Sequence, residues 1–398
     1  MENIKTQLCS SKDCTGCMAC VNSCNKSAIV IVQDNEGFYR PQINTDICVN
    51  CGLCVKACPV ITPPKETYKP STVYAAWHLN ECVRNESSSG GAFSALAETI
   101  LEQGGIVCGA AYVDGITIQH CIIEQKEDLY KLRLSKYAQS QIGLVFKEIK
   151  RELINGRKVL FCGTPCQAAG IRKYLVKDYE NLVICDFICH GTPSIKMLQK
   201  WVQWIERRYG EITHLNFRSK IKGWYDALRV ATLKNGKKVV MRGKNDAYWV
   251  GFSSNNNLQE SCYNCQFVGI ERNSDITIAD FWGIGKQIPF GNIDEIEKGI
   301  SCIIINSSKG NNIVEESKNK MATLERTIEE VLQGNQTMLK PCKRPDSRNS
   351  IYADIESLNY EEFRQKHLNP SLKMKLVKLW REYIPFSIVK RVRIRSQK

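Results

Sequence analysis

The chain has 398 residues, 43% of them hydrophobic and 24% charged, with a formal net charge of +14 and 20 cysteines. Such a length exceeds one ordinary core and can bury two or three apolar interiors, so folding does not depend on disulfide staples. Residues 371–398 hold nine Lys or Arg against one Glu, a net +8 that leaves only +6 for the first 370. That distribution disfavours a nucleic-acid groove, and with it a zinc-ribbon nucleic-acid binder. No apolar run reaches the ~18 residues that span a bilayer. The start, MENIKTQLCSSKDC, has no charged region leading into an apolar one, so a cytoplasmic, reducing setting is expected. There, abundant cysteine points to metal ligation.

In chain order, a cysteine-dense head spans residues 1–62. Cys14, Cys17, Cys20 and Cys24 have the spacing CxxCxxCxxxC, and Cys48, Cys51, Cys54 and Cys58 repeat it. In the bacterial two-cluster pattern the fourth cysteine of each run serves the other cluster. Cys14, Cys17, Cys20 and Cys58 are therefore expected to hold one 4Fe-4S cube, and Cys48, Cys51, Cys54 and Cys24 the second. A zinc module or a disulfide knot is the alternative, although zinc sites usually use separated pairs. Pro59 follows the second run, whereas Asn25 follows the first. Cys9 lies outside the pattern and reads as a spare surface thiol.

A proline-rich linker, 63–71, precedes the body. Strand-like runs (VYAAW, GIVCGAAY, ITIQHCIIE, KVLFC, LVICDFIC, DITIAD, SCIIIN) alternate with helical patterns such as AFSALAETILEQ, LVFKEIKRELI and IKMLQKWVQWIERRY. This predicts an α/β body with a largely parallel or mixed sheet after a small α+β ferredoxin-like head. The body divides into residues 72–155 and 156–345, and a basic helical tail occupies 346–398.

Within the body, Thr164, Pro165, Cys166 and Gln167 fit an N-cap, a proline at the first helical position and a capping box. Cys166 then stands in a first helical turn, which favours a thiolate or an anionic cluster. CHGTPS places Cys189 before a second helix opening at Ser194, and parallel strands would bring both cysteines to one carboxyl-end edge. Downstream, SCYNCQF adds Cys262 and Cys265. A third 4Fe-4S cluster on Cys166, Cys189, Cys262 and Cys265 is the reading. Zinc on the same thiolates, or Cys166 as a lone nucleophile, competes with it. Cys82, Cys108, Cys121, Cys162, Cys185, Cys302 and Cys342 read as small buried hydrophobes.

The segments SSSGGAFSAL (87–96), LSKYAQS (134–140), FCGTPCQAAGIR (161–172), DFICHGTPS (186–194), CYNCQF (262–267) and DITIADFWG (275–283) resemble the beta subunits of coenzyme F420 hydrogenases and dehydrogenases. The resemblance covers roughly residues 72–305 and implies an oxidoreductase with a body 4Fe-4S cluster and bound FAD. It implies flavin contacts from Ser89, Gly90, Gly91, Ser135, Lys136, Tyr137, Gly163 and Thr164, with Asp280, Trp282 and Gly283 nearby. Glycine-rich turns at helix starts present amides to a pyrophosphate, and Lys136 would neutralise it or the reduced flavin. Against this, Ser88 or Ser89 could simply cap the helix beginning near Ala92, and Trp282 could simply pack. No GxGxxG follows a strand, so no Rossmann nicotinamide site is expected.

An iron-sulfur flavoprotein of this kind would exchange electrons with a ferredoxin-like partner or a partner oxidoreductase and act on a two-electron substrate. Alternatively, the chain is an electron-transfer adaptor with no substrate pocket of its own. No catalytic residue is legible; His190, beside Cys189, is a candidate for a hydrogen bond to the cluster or flavin, or for plain packing. In the tail, Leu372, Leu376, Leu379 or Trp380, and Tyr383 form one helical face opposite Lys373, Lys378 and Arg381, which fits peripheral contact with the inner membrane face or docking on the protein itself.

Overall fold

The computed structural model describes residues 7–291, 293–369 and 376. The expected amphipathic face around Leu372, Leu379, Trp380 and Tyr383 lies outside the described residues. Among those described, no helix is long and apolar enough to cross a membrane.

In the head, β1 (Ile29–Gln33) and β2 (Tyr39–Ile43) form an antiparallel hairpin with Ile31 opposite Pro41. Asp34 closes its turn, accepting from the Phe38 amide at 2.8 Å and from Arg40 Nε at 3.0 Å. The two cysteine runs fold alike. A left-handed residue, Met18 (φ 57°) or Gly52 (φ 72°), opens a five-residue helix, Ala19–Ser23 or Leu53–Ala57, and the fourth cysteine, Cys24 or Cys58, ends it in extended conformation.

The body is built on eight strands: β3 (Thr72–His78), β4 (Ile106–Asp114), β5 (Thr117–Ile123), β6 (Val159–Gly163), β7 (Leu182–Phe187), β11 (Ile276–Asp280), β12 (Ser301–Ile305) and β13 (Met321–Arg326). Their order is β13-β3-β12-β11-β7-β6-β4-β5. The four central strands β11, β7, β6 and β4 pair in parallel, and both flanks are antiparallel. The sheet is thus mixed. Inner strands such as β12, buried at all five positions, lack polar alternation because helices cover both faces. The helix Ala92–Glu102 packs one face with Leu160 and Val183; the helices Val145–Ile154 and Pro165–Leu175 pack the other with Phe161 and Ile184.

A second sheet runs in the order β10-β9-β8, from β8 (Ile212–Ser219), β9 (Leu228–Leu233) and β10 (Lys238–Val240). Sequence patterning gave no sign of it, because strands such as ITHLNFRS mix charged and apolar residues. The helix Ile195–Tyr209 backs it through Trp201 and Phe217, with Tyr248 and Ile351 in the same core.

The head is not a bead on a string. Met18 and Ala19 share a core with Ala168 and Ile171 of the body, and Phe38 from the hairpin turn joins Met197 and Trp201 in another. Across the proline-rich linker, Tyr68 and Arg272 exchange backbone hydrogen bonds at 2.7 and 2.9 Å. Buried Arg348, in the helix Arg348–Ser357, grips both oxygens of Glu36 at 2.9 and 2.6 Å, the Leu258 carbonyl at 3.1 Å and Glu260 at 2.9 Å.

Candidate functional site

Strands β4, β6, β7 and β11 run the same way, so their carboxyl ends share one edge, the usual location of ligand sites in such sheets. There lies a cavity of ≈ 620 Å³, within the range of small-molecule and cofactor sites. Ser89, Gly91, Ser135, Lys136, Tyr137, Gly163, Thr164, Asp280 and Trp282 all line it. Gly90 and Gly283 do not. Gly90 is pressed against backbone, where a Cβ would meet the Ala76 carbonyl oxygen at 2.3 Å, and the Gly283 amide donates to the Tyr225 hydroxyl at 3.0 Å. Nor do Ser88 and Ser89 cap the helix Ala92–Glu102, which starts from left-handed Gly91 without a side-chain cap. Ser88 accepts from the Ser135 amide at 2.8 Å, and Ser89 donates to the Ile300 carbonyl at 2.7 Å. The two serines tie the turn to its surroundings.

Thr164 does cap its helix. Its hydroxyl accepts from the Gln167 amide at 3.4 Å, while Gln167 Oε1 accepts from the Thr164 amide at 2.9 Å. This carries Cys166 into the first turn with Sγ 3.0 Å from Thr164 Oγ1. Cys166 and Cys189 line the cavity. Cys189 lies close enough to feel Cys262, Cys166 and Cys265, so four cysteines from three distant segments gather here. The expected helix-terminus activation of Cys166 is outweighed: burial, reinforced by Cys265 and Cys262, pushes its thiol up to about 12, and burial pushes Cys262 up to about 12 as well. Four such thiols ionise together only around a cationic centre, and in that sense the donor set fits a metal cluster. One amide already points at a sulfur, Thr192 N donating to Cys262 Sγ at 3.3 Å.

In the head, Cys14, Cys17, Cys20 and Cys58 line one small cavity, and Cys9 lines it with them. The spare-thiol expectation for Cys9 is overturned. Beside Cys14 and Cys58, Cys9 holds each of their thiols down at about 6, aided at Cys14 by nearby Arg40. Cys54 is pushed up by burial and by neighbouring Cys51 and Cys24, while the Cys48 thiol donates to Asn50 Oδ1 at 3.9 Å. Cys51 is exposed. No three His, Cys, Asp or Glu side chains among the described residues converge closely enough for a single ion.

Head and body sets abut. A Cβ on Gly170 would lie 3.0 Å from Cys17 Cβ and 3.1 Å from its Sγ, and Cys17 feels Cys166. Among the cysteines read as buried hydrophobes, Cys108, Cys185, Cys302 and Cys342 are buried. Cys82 is instead exposed, on the short helix Glu81–Asn85. Cys162 lines the cavity, and Cys121 is half-buried on β5.

Several cavity residues escaped the sequence reading because no motif marks them: Thr15, His120, Arg133 and Arg218. Burial holds His120 down at about 4. The neutral ring donates from Nε2 to the Cys162 carbonyl at 3.2 Å and accepts at Nδ1 from Ser140 at 2.8 Å. Lys136 Nζ donates to the Lys131 and Arg133 carbonyls at 3.0 and 2.6 Å, and burial lowers its pKa to about 7. His190 bonds Asn255 Oδ1 at 2.7 Å and packs on Phe252.

A cysteine-paired head, with further thiols clustered at the carboxyl edge of a mixed sheet, has the donor sets of an iron-sulfur protein. The chain belongs to the coenzyme F420 hydrogenase/dehydrogenase beta-subunit family. Its N-terminal model matches residues 73–147 and its C-terminal model residues 156–330, and a 4Fe-4S dicluster domain matches residues 13–61. The ferredoxin-type protein NapF of Escherichia coli (strain K12) is 41% identical over 44 residues, 11% of this chain and 27% of that protein; the match thus spans about a quarter of the relative's length. A structure of the F420-reducing [NiFe] hydrogenase complex from Methanosarcina barkeri, derivatised with xenon, aligns with a TM-score of 0.46 at 19% identity, covering 75% of this chain and 91% of that one.

Proposed function

We propose that the chain is an iron-sulfur flavoprotein with three 4Fe-4S clusters and one FAD, linking a ferredoxin-like partner or partner oxidoreductase to a two-electron substrate. The head, residues 1–62, is joined through 63–71 to the flavin and cluster body. The observation that carries this reading is the order in which the thiol sets touch. Exposed Cys51 marks the outer set, Cys17 of the inner head set packs on Gly170 beside Cys166, and Cys166 and Cys189 open onto the cavity.

FAD bound there would supply the exchange between one-electron and hydride chemistry. For its phosphates, the left-handed turn at Gly91 opens a helix onto the cavity, whereas the Thr164 amide is already taken by Gln167. Lys136 supports the reading too, since among the described residues its half-buried ammonium donates to carbonyls alone and gains most from an anion. Tyr137 forms a wall, wedged among Phe217, Trp249 and Phe252 at 5.0–5.2 Å. At the outer end, Ile47 (48% exposed), Val49 (59%) and Leu53 (39%) surround exposed Cys51 with apolar surface suited to a protein partner.

Anaerobic purification with iron, sulfide and flavin measured together tests the proposal. About twelve irons and one FAD per chain are expected from three cubes, and Cys166→Ser should remove one cluster's iron while leaving the head signals. About eight irons in the unaltered chain, or zinc in place of iron, would refute the body cluster. Iron without flavin would favour the adaptor.

A further inference from the structure

We infer that Arg218 is an anion-binding residue for the substrate, receiving a carboxylate or phosphate group in the part of the cavity that faces the flavin turns. The inference rests on the cavity being the redox site proposed above and adds the chemical class of what enters it.

Arg218 lies on β8, in the second sheet, whereas the expected flavin-holding turns sit at the edge of the large sheet. Its side chain is 9% exposed yet borders the cavity. Nη2 donates to Asp280 Oδ1 at 3.0 Å, and the guanidinium lies 4.8 Å over the Trp282 ring. That ring is itself stacked on Trp224 at 4.9 Å and 5°. Asp280 is shared, because its Oδ1 also accepts from Trp224 Nε1 at 2.6 Å. The Tyr137 hydroxyl also faces the guanidinium, and among the described residues buried Nε has no hydrogen-bond partner.

A flat guanidinium fixed by a ring beneath and a carboxylate on one edge, with an N–H unused, is pre-organised for the oxygens of a carboxylate or phosphate. An unused buried donor is costly, and an incoming acceptor removes that cost. Charge points the same way. The lining carries Arg133, Lys136 and Arg218 against Asp280 as its one carboxylate. Arg133 is already met by Glu86 and Glu98. Arg218 meets Asp280 through Nη2 alone, and Asp280 is shared with Trp224, so Lys136 and Arg218 remain two separate donor points, carried on different elements: one for the flavin phosphates, one for a second anion.

The test is phenylglyoxal labelling of the full chain, purified anaerobically with its cofactors and read by peptide mass spectrometry, with inorganic phosphate as the probe. Phosphate should lower labelling of Arg218 several-fold and leave exposed Arg242 unchanged, and Arg218→Met should retain flavin at the wild-type ratio to iron. Equal labelling with and without phosphate overturns the inference. So does loss of flavin in Arg218→Met accompanied by shielding of Arg218 from flavin alone, which would assign the guanidinium to the cofactor. A wild-type chain that holds iron but takes up no flavin refutes the flavin reading instead. Phosphate protection of Arg218 in that same preparation would still decide the anion site.

Discussion

Replacing Gly170 probes the contact on which the order of the thiol sets depends. A Cβ there would stand 3.0 Å from Cys17 Cβ and 3.1 Å from Sγ, whereas carbon atoms rest at ~3.5–4.0 Å. Relief needs the Pro165–Leu175 and Ala19–Ser23 helices to part by roughly 0.5–1 Å. Overpacking of this size costs about 1–3 kcal/mol. Alanine in a helix interior returns about 0.5–1 kcal/mol of the glycine penalty, so Gly170→Ala should be destabilised by up to about 2.5 kcal/mol. Gly170→Val adds two methyl groups to the same clash and should lose more. Thermal unfolding followed by circular dichroism under anaerobic conditions gives the stability. Electron paramagnetic resonance of the reduced chain reports whether magnetic coupling between a head centre and the body centre weakens in parallel. Two variants as stable as the wild type, with unchanged coupling, would refute the close packing of Cys17 on this helix and the order of sets built on it.

Arg348→Met removes the fork that joins Glu36 of the head to Glu260 and the Leu258 carbonyl. Because the two carboxylates are 33% and 26% exposed, the cost should fall at about 2 kcal/mol, between surface and fully buried pairs; an unchanged melting temperature would contradict it. Lys136 titrates near 7 when folded and at ~10.4 when unfolded. Between those values the unfolded chain holds the extra proton, so stability rises with pH by at most about 1.4 kcal/mol per unit, and below pH 7 the burial penalty is fully present. Urea midpoints of the flavin-free chain at pH 7, 8 and 9 should show a shallower rise in Lys136→Met, with Lys220, also lowered to about 7 by burial, supplying the remainder. Cys9→Ala removes the thiol that borders Cys14 and Cys58 in the head cavity. Hydrogen bonds to ligand sulfur tune cluster potentials, so one head centre should titrate at a lower potential while the other stays fixed, and two unmoved midpoints would show that Cys9 has no such role.

The sequence by itself determined what is local. The duplicated cysteine runs produce duplicated turns and helices because their spacing and left-handed residues act within a few positions, and the Thr164 capping box closes as its four residues dictate. The apolar runs of β6, β7, β11 and β12 were equally legible, since buried strands lack polar alternation. Only the tertiary structure decided what depends on approach between distant segments. Arg218 and His120 carry no motif and reach the cavity through sheet geometry. Cys9 joins Cys14 and Cys58 only once the head has closed. The proline-rich linker implied a separate head, yet Met18, Ala19 and Phe38 are apolar side chains with too little surface of their own domain to cover them, and they are buried in the body. Periodicity states which residues seek burial; the partner that buries them is fixed by the folded surfaces that meet.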